Sequence, residues 1–193
     1  MASCWSREKG SILIAMKYFD ELKKSMEWLG EQNDTFFIGQ AVEVPGTAMF
    51  NTLKDIEPNK RLEVPVFEDT QMGMSIGMAL TGQRIISIFP RWNFLLCATN
   101  QLVSHLDKLP TITEGEVNPN LIIRTSVGSQ RPLFPGHQHI GNMSDAFRKM
   151  LSNVEIIELE EPEDIFDSYK KAYQREDGKS TLLVEFGDYY NEK

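Results

Sequence analysis

The sequence predicts an α/β fold in which a mostly parallel, six-stranded sheet carries helices on both faces, giving three layers. Strand-like and helix-like segments alternate along the chain, and the strand-like runs are continuously apolar, as in parallel sheets that are buried on both faces. The 193 residues, 41% of them hydrophobic, suffice for one domain with a sizeable core. We therefore expect a single domain over residues 1–193, with its core from about 11 to 187.

Periodicity and breaker residues predict the individual elements. Helices are expected where apolar residues recur every three or four positions, at 11–29, 46–56, 69–81, 94–109, 143–152 and 162–174. Strands are expected in the apolar runs at 35–42, 61–67, 84–90, 120–127, 154–160 and 181–187. Gly82 and Pro110 are expected to end the third and fourth helices. Ligands of such folds bind outside the carboxyl ends of the strands, so this edge is the predicted site.

Composition excludes several classes of function. The net charge is −8 and no basic stripe is visible, which argues against a nucleic-acid binder. Cys4 and Cys97 form no CxxC pair, as expected for a reducing, cytoplasmic setting. The first ten residues lack the apolar stretch of a signal peptide, and no apolar run is long enough to predict a membrane span.

The common α/β ligand motifs are missing from the sequence. There is no GxGxxG, no P-loop and no GxSxG elbow, which leaves a flavodoxin-like nucleotide module as a weakly supported alternative. The "HQH" at 137–139 has no nearby cluster of acids or cysteines, so we predict no metal site on this chain.

Four stretches, in this order, resemble one family: "FFIGQAV", "VPVFEDTQMGMSIGMALTG", "IFPRWNFLLCATNQLV" and "GHQHIGNMSDAFRKMLSNVEIIELEEPED". The family is the pyrimidine-binding domain of transketolase-like thiamine-diphosphate enzymes. Its nearest members are the middle domain of transketolase and the beta subunit of the first component of 2-oxo-acid dehydrogenases. The resemblance runs from about residue 11 to residue 187.

The resemblance implies roles for five residues. Glu68 matches the acid that hydrogen-bonds N1′ of the aminopyrimidine and promotes the tautomer that activates the cofactor's C2. Phe94 matches the aromatic residue that stacks on the pyrimidine, and Trp92 is expected to line the same cleft. His139 or His137 matches the active-site histidine, and the sequence leaves the choice open.

The sequence departs from the family at two points. The family's Gly-Glu after the first strand is Gly39–Gln40 here, and no Gly-Asp-Gly motif with a downstream Asn is present to bind magnesium and the diphosphate. We therefore expect thiamine diphosphate to be shared with a partner subunit that carries this motif and Mg²⁺, in a dimer or heterotetramer. Gly73 and Gly77 are expected to let that partner approach the third helix.

The predicted function is the pyrimidine-binding subunit of a split thiamine-diphosphate enzyme that is inactive alone. Its substrate would be a small carbonyl compound, and its reaction ketol transfer, 2-oxo-acid decarboxylation or acyl transfer. Arg91, Arg124 or Arg131 could bind an anionic group of that substrate. The alternative is a catalytically silent regulatory or interaction module derived from this domain.

Overall fold

A six-stranded, all-parallel sheet forms the centre of the computed structural model, which describes residues 17–191. The strand order is β2-β1-β3-β4-β6-β5. The strands are β1 (Thr35–Gly39), β2 (Arg61–Glu63), β3 (Arg84–Ile88), β4 (Leu121–Val127), β5 (Val154–Glu158) and β6 (Ser180–Phe186). The predicted fold class is confirmed. The predicted helical residues 11–16 lie outside the described part of the chain.

Helices cover both faces of the sheet. They are α1 (Tyr18–Glu31), α2 (Ala48–Asn51), α3 (Glu68–Ala79), α4 (Trp92–Leu95), α5 (Leu109–Ile112), α6 (Ser144–Met150) and α7 (Pro162–Tyr173). One apolar core lies beneath α3, α4 and α6, and the other beneath α1, α2 and α7. Neighbouring strand residues alternate between these cores, so that Leu182 belongs to the first and Leu183 to the second.

The second strand is shorter than the sequence predicts. It ends at Glu63, whereas the apolar pattern predicts a strand up to Phe67. Pro65 has no N–H to donate to a neighbouring strand, and the amide of Phe67 bonds the carbonyl of Pro65 in a tight turn. The chain therefore leaves the sheet early, and Glu68 becomes the first residue of α3.

The segment after β3 is irregular rather than one helix over 94–109. After α4 come a 3₁₀ turn at Leu96–Ala98 and a π-helical stretch at Gln101–Leu106, and then α5. Pro110 lies in the first turn of α5 instead of ending a helix, which is allowed because that turn needs no amide donor there.

Among the described residues, no helix has both the length and the apolar content that crossing a bilayer requires.

Candidate functional site

The carboxyl ends of the central strands meet at one edge, and the backbone there is closely packed. Gly39 pairs with Ile88 across β1 and β3. A Cβ on Gly39 would lie 2.2 Å from the carbonyl oxygen of Ile88, and its φ is +150°. No other residue fits this position, which explains why the first strand ends in glycine.

Glu68 is a buried acid at this edge, with 6% of its surface exposed. As the first residue of α3, it lies at the positive end of the helix dipole. The Gln40 side-chain amide donates a hydrogen bond to its Oε1 over 3.2 Å. Its Oε2 makes no hydrogen bond with any residue from 17 to 191, so one carboxylate oxygen is available to a ligand.

A row of buried polar side chains holds α3 against β3. Gln71 donates to the carbonyl of Ile88 over 2.9 Å, and the hydroxyls of Ser75 and Ser87 are 2.9 Å apart. These bonds satisfy polar groups inside an otherwise apolar contact and fix the helix relative to the sheet edge. The position of Glu68 at the head of α3 is therefore fixed as well.

The loop after β1 is anchored by a carboxylate. Glu63 accepts hydrogen bonds from the amides of Ala41, Val42 and Glu43 at 2.6–2.9 Å. This anchor lets Ala41 adopt a left-handed φ of +60°, which is uncommon for a residue other than glycine. It also sets the position of the adjacent Gln40, the partner of Glu68.

Phe94 and His139 form a second part of the site. Their rings lie 5.7 Å apart, and both side chains are half-buried. The His139 Nδ1 is 3.0 Å from the amide oxygen of Asn93. Because that oxygen only accepts, Nδ1 carries the hydrogen in this arrangement, and Nε2 has no hydrogen-bond partner among residues 17–191.

The structure distinguishes the two histidines that the sequence leaves open. His137 is exposed and packs edge-on against Phe134, with ring centres 5.1 Å apart. It is His139 that contacts Phe94.

Trp92 does not line the cleft, contrary to expectation. It is 1% exposed and its ring packs 5.1 Å from that of Phe147 in the core. The single turn of α4 directs Trp92 and Leu95 inward and leaves Phe94, between them, half-exposed.

The two glycines of α3 differ in their surroundings. A Cβ on Gly73 would contact the side chain of Gln101 at 3.7 Å, so this glycine faces the chain's own helical segment. A Cβ on Gly77 would meet nothing within 4 Å. Gly77 therefore lies on an open face, beside the partly exposed Met74.

The donor set fits the pyrimidine half of thiamine diphosphate. It offers a buried carboxyl oxygen without a partner and the half-exposed ring of Phe94, which are complementary to a flat heteroaromatic ring that carries an N–H donor. Among residues 17–191, no group of three or more His, Cys, Asp or Glu side chains could hold a metal ion.

Sequence reasoning missed the buried pair of Arg124 and Glu185. Both side chains are fully buried, and the guanidinium binds the carboxylate through Nε and Nη2. The sequence does contain a sign of this pair, since β4 and β6 are apolar runs that each include one charged residue. The two strands are neighbours in the sheet. This pairing excludes Arg124 as the ligand of a substrate anion.

Comparison with known proteins agrees with this fold. No family model matches the chain. A pyruvate dehydrogenase E1 component subunit beta from Cyanidium caldarium is 30% identical over 115 residues, which cover 58% of this chain and 35% of that protein. A second, from Gracilaria tenuistipitata var. liui, is 27% identical over 180 residues, covering 91% of this chain and 54% of that protein.

Solved structures give the same result for the fold. A split-gene transketolase, described as an inactive beta4 tetramer, has a TM-score of 0.68 at 14% identity, over 89% of this chain and 52% of its own. A thiamin diphosphate-dependent enzyme from Mycobacterium smegmatis has a TM-score of 0.60 at 15% identity, over 90% of this chain and 31% of its own.

The fold is the one seen in these transketolase and thiamin diphosphate-dependent enzyme structures. The chain is a distant homologue of the pyruvate dehydrogenase E1 beta subunits, as its motifs predict. It spans about a third and about half of the lengths of these two relatives.

Proposed function

We propose that this chain is the pyrimidine-binding subunit of a split thiamine-diphosphate enzyme that acts on small carbonyl compounds. The observation that carries the proposal is Glu68, a buried acid with one hydrogen-bonded oxygen and one oxygen open to a ligand. A carboxylate with only one partner is costly to bury, so a ligand that completes its hydrogen bonding would offset that cost.

In this proposal Glu68 holds and shares a proton at N1′ of the pyrimidine. When bound, the cofactor supplies the nucleophilic carbon for making or breaking a bond next to a carbonyl group. The amide of Gln40 orients the carboxylate through Oε1, which leaves Oε2 directed to the pyrimidine. The anchoring of α3 on β3 keeps this geometry fixed.

Phe94 and His139 would act on the two sides of the same cleft. The half-exposed Phe94 ring suits stacking on the pyrimidine. The bond to Asn93 holds His139 with its Nε2 free to accept or deliver a proton at the substrate.

The partner would contribute the Mg²⁺ and diphosphate site and pack on the outer face of α3. Gly77 leaves room there, and Met74 and Leu96 are 38% and 39% exposed. Two of the relatives are named as a beta subunit and a split-gene transketolase, which supports a function shared between polypeptides.

Cofactor affinity tests this division of labour. We expect the chain alone to bind thiamine diphosphate and Mg²⁺ weakly by titration calorimetry, since the diphosphate contributes most of the affinity. Addition of a subunit carrying Gly-Asp-Gly should produce tight binding. Tight, magnesium-dependent binding by the chain alone would contradict the proposal.

A further inference from the structure

A cleft of about 270 Å³ opens at the same edge of the sheet, beside the candidate site. It lies between the start of α2 and the segments that follow β3, β4 and β6. Arg91 is the only charged residue among the described residues that line it.

The Arg91 guanidinium has no hydrogen bond or ion pair with any residue from 17 to 191. A half-buried cation without a counter-ion is unusual, because burial weakens its hydration without compensation. The buried acid Glu185 is already bound by Arg124 and by the hydroxyl of Tyr190, which forms part of the cleft wall. The cleft therefore lacks an anion of its own.

Hydroxyl groups complete the lining. The Thr47 oxygen accepts a bond from the amide of Phe50, which leaves its own hydrogen free to donate. Ser129 also lines the cleft. The hydroxyl of Ser126 already donates to the carbonyl of Pro90 over 2.7 Å, so it stiffens the wall. One cation and neutral donors form a set that suits a singly charged oxyanion.

The cleft adjoins His139 through Gly128. A Cβ on Gly128 would lie 2.1 Å from the His139 carbonyl oxygen and 3.5 Å from Cδ of Arg91. The arginine stem and the histidine backbone thus pack on the same glycine. A molecule in contact with His139 could extend into the cleft.

We infer that Arg91 binds a carboxylate of the substrate, at a point away from the reacting carbonyl. The identification of the bound anion as part of the substrate rests on the proposed function, whereas the anion site itself consists of residues of this chain alone. The single guanidinium matches the charge of a carboxylate better than that of a phosphate dianion. The substrate class is then a carbonyl compound with a carboxylate that is not attached to the reacting carbonyl group.

Two other features were weaker candidates for this role. Arg131 is exposed and lies within 4.0 Å of Asp188. A larger cleft of about 530 Å³ lies at the opposite, amino edge of the sheet, but its Arg175 is held by Asp177 and Glu155.

Nuclear magnetic resonance of the full, ¹⁵N-labelled chain tests the site directly. The Nε–Hε signal of Arg91, assigned by its loss in Arg91→Gln, is followed during titration with sodium glutarate, sodium phosphate and sodium chloride at constant ionic strength. We expect a saturable shift with glutarate and weaker effects with phosphate and chloride. Followed through the backbone amide signals of Gly128 and Ser129, which both variants retain, glutarate binding should weaken about 10- to 100-fold in Arg91→Gln and less in Arg91→Lys.

Lys149→Gln is the matched control, because it removes the same charge from an exposed site on α6 and should leave glutarate affinity unchanged. An unsaturable response, tighter binding of phosphate, or equal loss in the control would overturn the inference. Because no cofactor or partner is used, failure here leaves the cofactor-binding test of the proposed function intact. Failure of that test likewise leaves the anion site standing.

Discussion

Two of the carboxylates within residues 17–191 are buried near the carboxyl edge of the sheet, and they differ in how many hydrogen bonds they accept. Glu185 is fully buried and accepts hydrogen bonds from Arg124, Tyr169 and Tyr190. Glu68 is almost as buried and has the amide of Gln40 alone among the described residues. Burial is thus similar while hydrogen bonding is not.

The Glu185 carboxylate shifts the pKa values of the three side chains that bind it. Burial alone would lower the pKa of the Arg124 guanidinium, but the Glu185 carboxylate raises it above its usual value. Burial, together with the same carboxylate, raises the pKa of Tyr169 and Tyr190 well above the tyrosine norm. A saturated acid of this kind stabilises a fold, whereas an acid with an open oxygen can bind a ligand.

The largest expected effect is on catalysis, from Glu68→Gln in the enzyme reconstituted with its partner. The substitution keeps the side chain's size and removes the acid. Turnover should fall about 10²- to 10⁴-fold, as is typical when general acid–base catalysis is lost. Hydrogen–deuterium exchange at the cofactor's C2 should slow in parallel, while the unfolding free energy of the isolated chain changes by about 1 kcal/mol or less.

Unchanged exchange at C2 would contradict the proposed difference between Glu68 and Glu185, because Glu68 would then be no more than an acid at a helix N-terminus. A large loss of stability without loss of exchange would have the same meaning.

The next effect is on stability, from Arg124→Met. It leaves Glu185 buried without its cation and should destabilise the chain by about 3–5 kcal/mol in urea unfolding. Replacing Glu185 by Leu in the same chain should recover most of that loss. Arg148→Met serves as control, since its exposed pairs with Asp145 and Glu158 contribute about 1 kcal/mol or less.

A smaller effect concerns alkaline pH. The pKa of the Tyr169 hydroxyl is higher in the folded state than in the unfolded state. Its contribution to the free energy of unfolding is therefore fully present below about pH 10, the pKa of an unfolded tyrosine, and is lost as the pH rises further. The slope should be about 1.4 kcal/mol per pH unit for this residue. Urea unfolding between pH 9 and 11 should show a shallower decline for Tyr169→Phe, and an identical decline would contradict the assignment.

The smallest effect is expected at Gly77, on the face of α3 opposite the core. A Cβ there meets nothing within 4 Å, so Gly77→Ala should stabilise the isolated chain by about 0.5–1 kcal/mol. Gly77→Leu should leave the monomer folded and weaken partner association in sedimentation. Equal association of both variants and wild type would place the partner elsewhere.

The sequence predicts most of the sheet because parallel strands are continuously apolar. The patterns of β4 and β6 gave these strands within one residue at each end. The end of β2 was predicted too late because the apolar run up to Phe67 has the pattern of a strand. Pro65 within that run has no backbone N–H for the sheet, so the strand ends before it. The apolar pattern also could not show that Gln101–Leu106 is π-helical, because an α-helix and a π-helix both bury one apolar face.

The sequence predicted which residue types form the candidate site, but it did not predict which of these residues contact each other. Glu68 and Phe94 stand in recognisable motifs, but the Glu68–Gln40 bond joins residues 28 apart that meet only through the pairing of β1 and β2. Trp92 was misplaced because one turn of helix separates an inward from an outward side chain by a single position.

Gly128 has a consequence for how this protein could be altered by selection or by design. Any side chain at 128 would clash with the carbonyl oxygen of His139, which lies 2.1 Å from the position of a Cβ, and would also contact the Arg91 stem at 3.5 Å. Thr47 and Ser129 line the same cleft with side chains of their own. If Arg91 binds the substrate as proposed, its range can be changed at 47 and 129, while position 128 tolerates only hydrogen.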